Sequence, residues 1–294
     1  MKTTRFNIAK PDIIKLFDSY RKNVFTYSDI SMILDQNRDF WRLPQNMSTK
    51  KFISVLQEKT KLNVHKFSFP SFNKQIYIWG ESSVFNILPA LKPDAYFSHY
   101  SAMYIHNLTT QLPKTYYLNV EQSPKPRIPS NTSLTQEKLD FAFSRKPRAS
   151  NNIAKYNDSR VSLLNGKNHN NLGIMNIEID EHEVPVTDIE RTLIDITVRP
   201  NYAGGVFEVL SAFRNAKGQT SLNRIQSYLN KMDFIYPYHQ AIGFYLSKAG
   251  LYSNDKLSLL KKKPIKLNFY IGHRLPNLKL DKNWKVYYPS DMDS

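Results

Sequence analysis

The chain has 294 residues, 41% hydrophobic, 13% aromatic and 22% charged, so it is long enough for about two domains with a buried core in each. It has no cysteine, which removes disulfides, thiolate zinc ligands and cysteine nucleophiles together. No run of about 18 apolar residues is available to cross a bilayer, and the opening MKTTRFNIAKPDIIKLF lacks a signal peptide's apolar stretch and cleavage site, so a cytoplasmic protein is expected.

The net charge is +16 and is unevenly placed: residues 1–80 carry 14 Lys/Arg against 6 Asp/Glu, residues 81–170 carry 11 against 6, and residues 171–294 carry 16 against 13. Roughly the first quarter of the chain supplies half the excess, as expected of a small N-terminal module that meets nucleic acid.

Within that quarter, Ile13, Ile14, Leu16, Phe17 and Tyr20 recur at helical spacing over 10–22, behind Pro11 as a first-turn residue. A second helix over 25–39 has Thr26 or Ser28 as N-cap and Ile30, Ile33 and Leu34 inward. A third, over 46–62, has Ser48 or Thr49 as N-cap and buries Phe52, Ile53, Val55 and Leu56. Two strand-like runs, 62–69 and 74–80, are joined through PSFN as a hairpin. Three short helices and a hairpin are the parts of a winged helix-turn-helix, in which the third helix enters the major groove and the wing reaches the backbone. The candidate DNA-binding residues are Ser48, Thr49, Lys50, Lys51, Ser54 and Lys59 on the third helix, with Lys66 and Lys74 in the hairpin.

Residues 81–93 read as a linker helix, dividing a DNA-binding domain at 1–80 from a C-terminal domain at 94–294. There the pattern predicts a helix near 97–108, a strand at 115–120, a Pro- and Ser-rich loop at 121–133 and a helix over about 134–143. Strands SRVSLLNG and LGIMNIEI follow around the turn KNHNN. The segment PVTDIERTLIDITVRP starts a helix with Thr187 and Glu190 as a capping box. Helices at about 204–215, 221–232 and 237–249 precede two late strands, IKLNFYI and WKVYY. The mixture is α+β: an N-terminal winged helix-turn-helix and a larger mixed C-terminal domain.

Several stretches invite a catalytic reading. In YFSHYSAMYIHNLT, a helical wheel gathers Phe97, Ser101, Tyr104, Ile105 and Leu108 inward and leaves His99 and His106 outward, about 10 Å apart along the axis and too far to share a metal ion. Asn107 is expected to stop this helix in a left-handed conformation. Asp180, Glu181 and Glu183 read as a solvated hairpin. Among Asp188, Glu190, Arg191 and Asp195, Glu190 has a capping role and Arg191 can pair with Asp195 four residues on, which leaves no free carboxylate cluster. Neither a phosphate-binding loop, a dinucleotide glycine fingerprint nor a His-Glu-x-x-His motif occurs. No catalytic residue, metal site or cofactor is therefore expected. Arg214, Lys217, Arg224 and Lys231 on the later helices are candidates for a surface that meets RNA or a protein partner.

AYFSHYSAMYIHNLTTQLPKTYYL, then VTDIERTLIDITVRPNYAGGVFEVLSAF and AIGFYLSKAG, in this order behind the N-terminal parts, resemble the AbiEi family of antitoxins from bacterial abortive-infection toxin–antitoxin systems. Met103 stands where the pattern has leucine, and Asn107 rather than glycine follows His106. The resemblance implies a phage-defence repressor that binds inverted repeats of double-stranded promoter DNA in its own operon. It also implies that the C-terminal domain counteracts a nucleotidyltransferase-like toxin without needing a tight complex. The alternatives are a nucleic-acid-processing enzyme with a nuclease-like C-terminal domain and a transcription regulator without a toxin partner.

Overall fold

The computed structural model describes residues 5–124 and 133–293; positions 125–132 of the expected Pro- and Ser-rich loop lie outside the described residues. Eleven α-helices and three sheets among them make a mixed α+β fold. Contacts divide the chain into two units. One runs through Ala95 and takes in Ala154–Tyr156 and Ile177–Val184; the other takes Tyr96–Ile153, Asn157–Asn176 and the chain from Pro185. The segment expected as a linker, 81–93, thus belongs to the first unit. No helix among the described residues is long and apolar enough to cross a membrane.

The first unit opens with α1 (Arg5–Ser19). It starts upstream of the expected position because Phe6 and Ala9 continue the buried stripe of Ile13 and Phe17, and this packing outweighs the hydrogen bond that Pro11 forfeits inside the helix. After β1 (Val24–Phe25), α2 (Tyr27–Asn37) is capped by Thr26, whose hydroxyl accepts from the Asp29 amide at 3.2 Å while the Asp29 carboxylate accepts from the Thr26 amide at 2.7 Å. The connection onward is pinned by Arg38, which donates to the carbonyls of Pro44 at 3.0 Å and Met47 at 2.9 Å, and by buried Trp41, stacked on Phe52 with centroids 5.8 Å apart. Then come α3 (Thr49–Lys59) and the antiparallel hairpin of β2 (Leu62–Ser68) and β3 (Asn73–Trp79). Strand β3 is central in its sheet, between β1 and β2.

Opposed residues of such a pair share a face. Leu62 with Trp79 and Val64 with Tyr77 therefore lie on the side that packs on the helices, and Lys66 with Gln75 and Ser68 with Asn73 extend that side, exposed, toward the turn. The reverse side holds Phe67 with Lys74 and His65 with Ile76. Short α4 (Val84–Ile87) and a 3₁₀ turn, Leu88–Leu91, complete the unit's main run.

A six-stranded sheet consists of β4 (Tyr96–Phe97), β5 (Thr115–Asn119), β6 (Ile153–Tyr156), β7 (Ser159–Leu164), β8 (Ile174–Ile179) and β9 (His182–Thr187), in the order β6-β7-β5-β4-β9-β8; β4, β5 and β7 belong wholly to the second unit, whereas most of β6 and the adjoining halves of β8 and β9 count with the first. Within it β4 runs antiparallel to β5 and parallel to β9, and β5 runs parallel to β7. Asp180 and Glu181 make the left-handed turn between β8 and β9, so the acidic stretch is the expected hairpin. Helices α5 (His99–Ile105) and α6 (Gln136–Phe143) flank β5 in sequence. Next come α7 (Ile189–Val198), α8 (Val206–Asn215), α9 (Leu222–Met232) and α10 (Tyr238–Lys248), which form much of the second core. Every residue of α10 from Tyr238 to Leu246 is buried, and a Cβ at Gly243 would collide with the Trp284 ring. A small sheet of β10 (Phe269–Tyr270), β11 (Leu278–Asp281) and β12 (Val286–Pro289) ends the chain; β11 was not expected.

Two expectations in this unit are corrected. Phe97 is not helical but pairs with Leu118 and Val186 in the sheet, so α5 begins at His99 and the wheel drawn from Phe97 fails. His99 is consequently buried, at 8% exposure, and His106 is half-buried, whereas Asn107 does stop the helix in the left-handed region (φ 57°). The cap of α7 is Asp188, which accepts from the Arg191 amide at 2.7 Å; Thr187 belongs to β9 and its hydroxyl lies 2.8 Å from that of Thr192.

Candidate nucleic-acid interface

Helix α3 buries Phe52, Ile53 and Leu56 and turns Lys50, Lys51, Ser54 and Gln57 outward. The six residues singled out on it have two kinds of role. Ser48 is the N-cap, its hydroxyl accepting from the Lys51 amide at 3.3 Å. The Thr49 hydroxyl sits 3.0 Å from that of Ser31 on α2, and the half-buried Lys59 donates to the Asn7 side chain of α1 at 2.9 Å. Those three hold the helix in place, while Lys50, Lys51 and Ser54 remain exposed. The first turn of α3 contains no acidic residue, so the positive end of the helix dipole and two lysines act together there.

The hairpin separates its two lysines. Lys66 is exposed on the helix-facing side, together with Ser68, Asn73 and Gln75, whereas Lys74 is half-buried on the reverse side opposite Phe67, which stacks on Tyr156 with centroids 5.3 Å apart. Lys66 and Lys74 therefore do not serve one surface. Ser68, Asn73 and Gln75 were missed by sequence reasoning, although period-two alternation carried to the turn would have grouped them with Lys66. Two other lysines of the unit are engaged: Lys22 with Asp29 and Lys61 with Asp18, each at 2.7 Å. Hydrogen bonds from Lys61 and the Trp79 indole hold the Asp18 carboxyl below its ordinary range.

In the second unit all four basic candidates are exposed. Arg214 closes α8 and Lys217 lies just beyond its cap; Arg224 opens α9 and Lys231 closes it. Arg224 is committed to Glu190 at 3.3 Å, where that carboxylate raises its pKa, so it acts first as a tie between α9 and α7.

The acidic groups that could suggest catalysis are drawn into a polar cluster around Arg191. Its guanidinium, nearly buried, donates to Asp195 at 2.9 Å and to the Leu172 carbonyl at 2.6 Å, and lies 3.8 Å from Glu121. Glu121 accepts from the backbone amides of His169 at 2.7 Å and Asn171 at 3.2 Å and from the Tyr96 hydroxyl at 3.3 Å. Burial pushes Arg191 toward losing its proton, but Asp195, Tyr96 and Glu121 outweigh it and raise its pKa. Asp188 accepts from the Tyr228 hydroxyl at 2.6 Å and is raised by burial; Glu190 accepts from the Ser221 amide at 2.8 Å. The two histidines are also in use: the His99 ring nitrogen lies 2.9 Å from the Ser98 hydroxyl, and the His106 ring lies 2.6 Å from the Thr187 carbonyl. Burial pushes His99 down to about 4 and also lowers His106. No group of three or more His, Asp or Glu among the described residues could hold a metal ion.

No protein-family model matches the sequence, and no curated protein matches it. Among solved structures, the chain is similar to the RV2827C protein from Mycobacterium tuberculosis, with a TM-score of 0.60 over 95% of this chain and 91% of that one at 14% identity. At that identity the likeness is one of fold, and it extends over both units.

Proposed function

We propose that this chain is a sequence-specific DNA-binding antitoxin that represses its own operon, its first unit acting as a winged helix-turn-helix. The observation that carries the reading is the exposed face of α3: Lys50, Lys51 and Ser54 point away from a fully apolar core at a helix end with no compensating acid. Lysines at that end neutralise phosphates, and the short hydroxyl of Ser54 with the amide of Gln57 offers hydrogen bonds to base edges. Lys66, with Ser68 and Asn73, extends the hairpin's helix-facing side as a wing would, toward the DNA backbone.

The role of the second unit, restraint of a nucleotidyltransferase-like toxin, rests on the family resemblance of the α5, α7–α8 and α10 segments. The hydrogen-bonded state of Glu121, Asp188, Glu190 and Asp195 favours a scaffold over a nuclease-like centre.

The test is footprinting of the full chain on the DNA upstream of its own gene, paired with co-expression beside the adjacent gene. Protection of two half-sites in inverted orientation and rescue of a toxic neighbour are expected. Absence of a footprint removes the repressor reading, and metal-dependent cleavage of the DNA replaces it with the enzyme.

A further inference from the structure

Strand β11 (Leu278–Asp281) lies at an open edge of the small C-terminal sheet, with β12 on one side and no strand on the other among the described residues. Its register alternates the two faces: Tyr270, Tyr287 and Leu280 make one row, and Phe269, Val286 and Asp281 make the next. Phe269, Val286 and Tyr288 are buried in the second core, so that face is inward, with Lys279 opposite Tyr288 at its margin. The outward face carries Leu278 and Leu280, 42% and 36% exposed, beside half-buried Tyr287 and Tyr270, whose rings lie 4.9 Å apart. An apolar row therefore runs to the edge of the sheet and stops in solvent.

The backbone shows which groups face that edge. The Ser290 amide donates to the Asn277 carbonyl at 2.9 Å, and Pro289, opposite Leu278, has no amide hydrogen to give. Bonded and non-bonded positions alternate along an antiparallel pair, so Lys279 and Asp281 bond to β12. The amides and carbonyls of Leu278 and Leu280 consequently point to the open edge. Such edges are ordinarily closed to further pairing by prolines, bulges or charges. Strand β11 has no proline, and its two charges, Lys279 and Asp281, are of opposite sign and two residues apart. Two self-pairings about a twofold axis keep the leucines on one face and add backbone bonds. Centring on Lys279 sets lysine against lysine, whereas centring on Leu280 sets each Lys279 opposite Asp281 of the other copy. The charges that block one register thus favour the other. Both groups are available: Asp281 uses one oxygen on the Trp284 amide at 2.7 Å, and bonds to Asp293 and Tyr288 leave the exposed Lys279 a third donor.

We propose that β11 is a homodimerisation edge, pairing antiparallel with β11 of a second copy about a twofold axis at Leu280. The two Leu280 residues exchange amide-to-carbonyl bonds, the two apolar rows join into one, and a pair of Lys279–Asp281 contacts flanks the axis. The assignment does not rest on DNA binding by the first unit. A strand from a different protein would use the same backbone groups but not the reciprocal charges, and the test separates the two.

The full chain is examined by sedimentation equilibrium from about 1 to 300 µM. One four-residue strand per copy makes a small interface, so a dimer with a Kd of about 10–100 µM is expected. Lys279→Glu and Asp281→Lys should each weaken the dimer at least about tenfold, because like charges then face each other on both sides of the axis. An equimolar mixture of those two variants should dimerise about as well as the parent, since opposite charges meet again at both places. Leu280→Glu, at an exposed position, should weaken the dimer by a similar factor, and it decides the matter if Asp281→Lys unfolds for want of the Trp284 bond. The proposal is overturned if the parent stays monomeric at about 300 µM, which leaves the edge to a strand of another protein. It is overturned equally if folded Leu280→Glu associates like the parent, or if the mixture of two folded charge variants stays monomeric.

Discussion

Among the described residues up to Ala95, every buried side chain is hydrophobic, whereas the second unit buries Asn119, Asp188, Glu190, Arg191 and Gln240 among its aliphatic and aromatic core. The first unit therefore gains its stability from an apolar interior and leaves most of its charge in solvent, where a polyanion can reach it. The second uses polar groups internally: Arg191 joins α7 to Glu121 and to the Leu172 carbonyl, and Glu190 joins α7 to α9. Lys50, Lys51 and Lys66 of the first unit stay exposed, whereas Arg191 and Glu190 of the second tie separate elements together.

Removing a buried cation should expose that difference most strongly. Arg191→Met leaves Asp195 and Glu121 without their counter-charge, and breaking a buried pair in this way costs about 3–5 kcal/mol. In urea denaturation the transition reporting the second unit should move by that amount while the transition of the first stays in place. Equal movement of both, or of neither, breaks the comparison.

Acid should act in the same direction. Burial holds both His99 and His239 down to about 4, against an ordinary 6.5, so between those values the unfolded chain binds protons that the folded unit excludes. Stability then rises with pH from about 4 to 6.5 and is flat above, by up to about 3 kcal/mol for each residue. In the first unit burial lowers His65 in the same direction, one imidazole against the several lowered in the second, and Asp29 titrates lower still: burial raises it, but bonds from Lys22 and Thr26 prevail, so its contribution is lost only as pH falls below 3.8. Melting curves from pH 7 to 4.5 should therefore lower the second unit first. His99→Asn, which tolerates the left-handed backbone at this position (φ 51°), should flatten that dependence. A steeper fall in the first unit would contradict the assignment.

A smaller effect is expected at the cap of α3. Ser48→Ala should cost the first unit about 1 kcal/mol, with the second unit unchanged in the same melting experiment.

What the sequence conveyed depended on the range of the interactions involved. Thr26 and Ser48 cap helices through residues three positions on, and the sequence narrows each cap to two neighbouring candidates, Thr26 or Ser28 and Ser48 or Thr49. The spacing from Thr187 to Glu190 also fits a capping box, yet Glu190 is taken by Ser221 and Arg224, more than 30 residues away, and Asp188 caps instead. The wheel that turned His99 outward assumed that Phe97 was helical, and only its pairing with Leu118 and Val186 shows otherwise. On α3, the outward positions of Lys50, Lys51 and Ser54 follow from helical period alone. The ties of Thr49 to Ser31 and of Lys59 to Asn7 depend on where α2 and α1 pack, and no local pattern announces them.

The most direct test is the salt dependence of duplex DNA binding by the full chain and by its Lys50→Ala, Lys51→Ala double variant. The account predicts much weaker binding by the variant, a log–log salt slope shallower by about 1.8, since each lost phosphate contact removes about 0.9, and unchanged melting. A folded double variant that binds the same duplex with the parent's affinity and slope would contradict it.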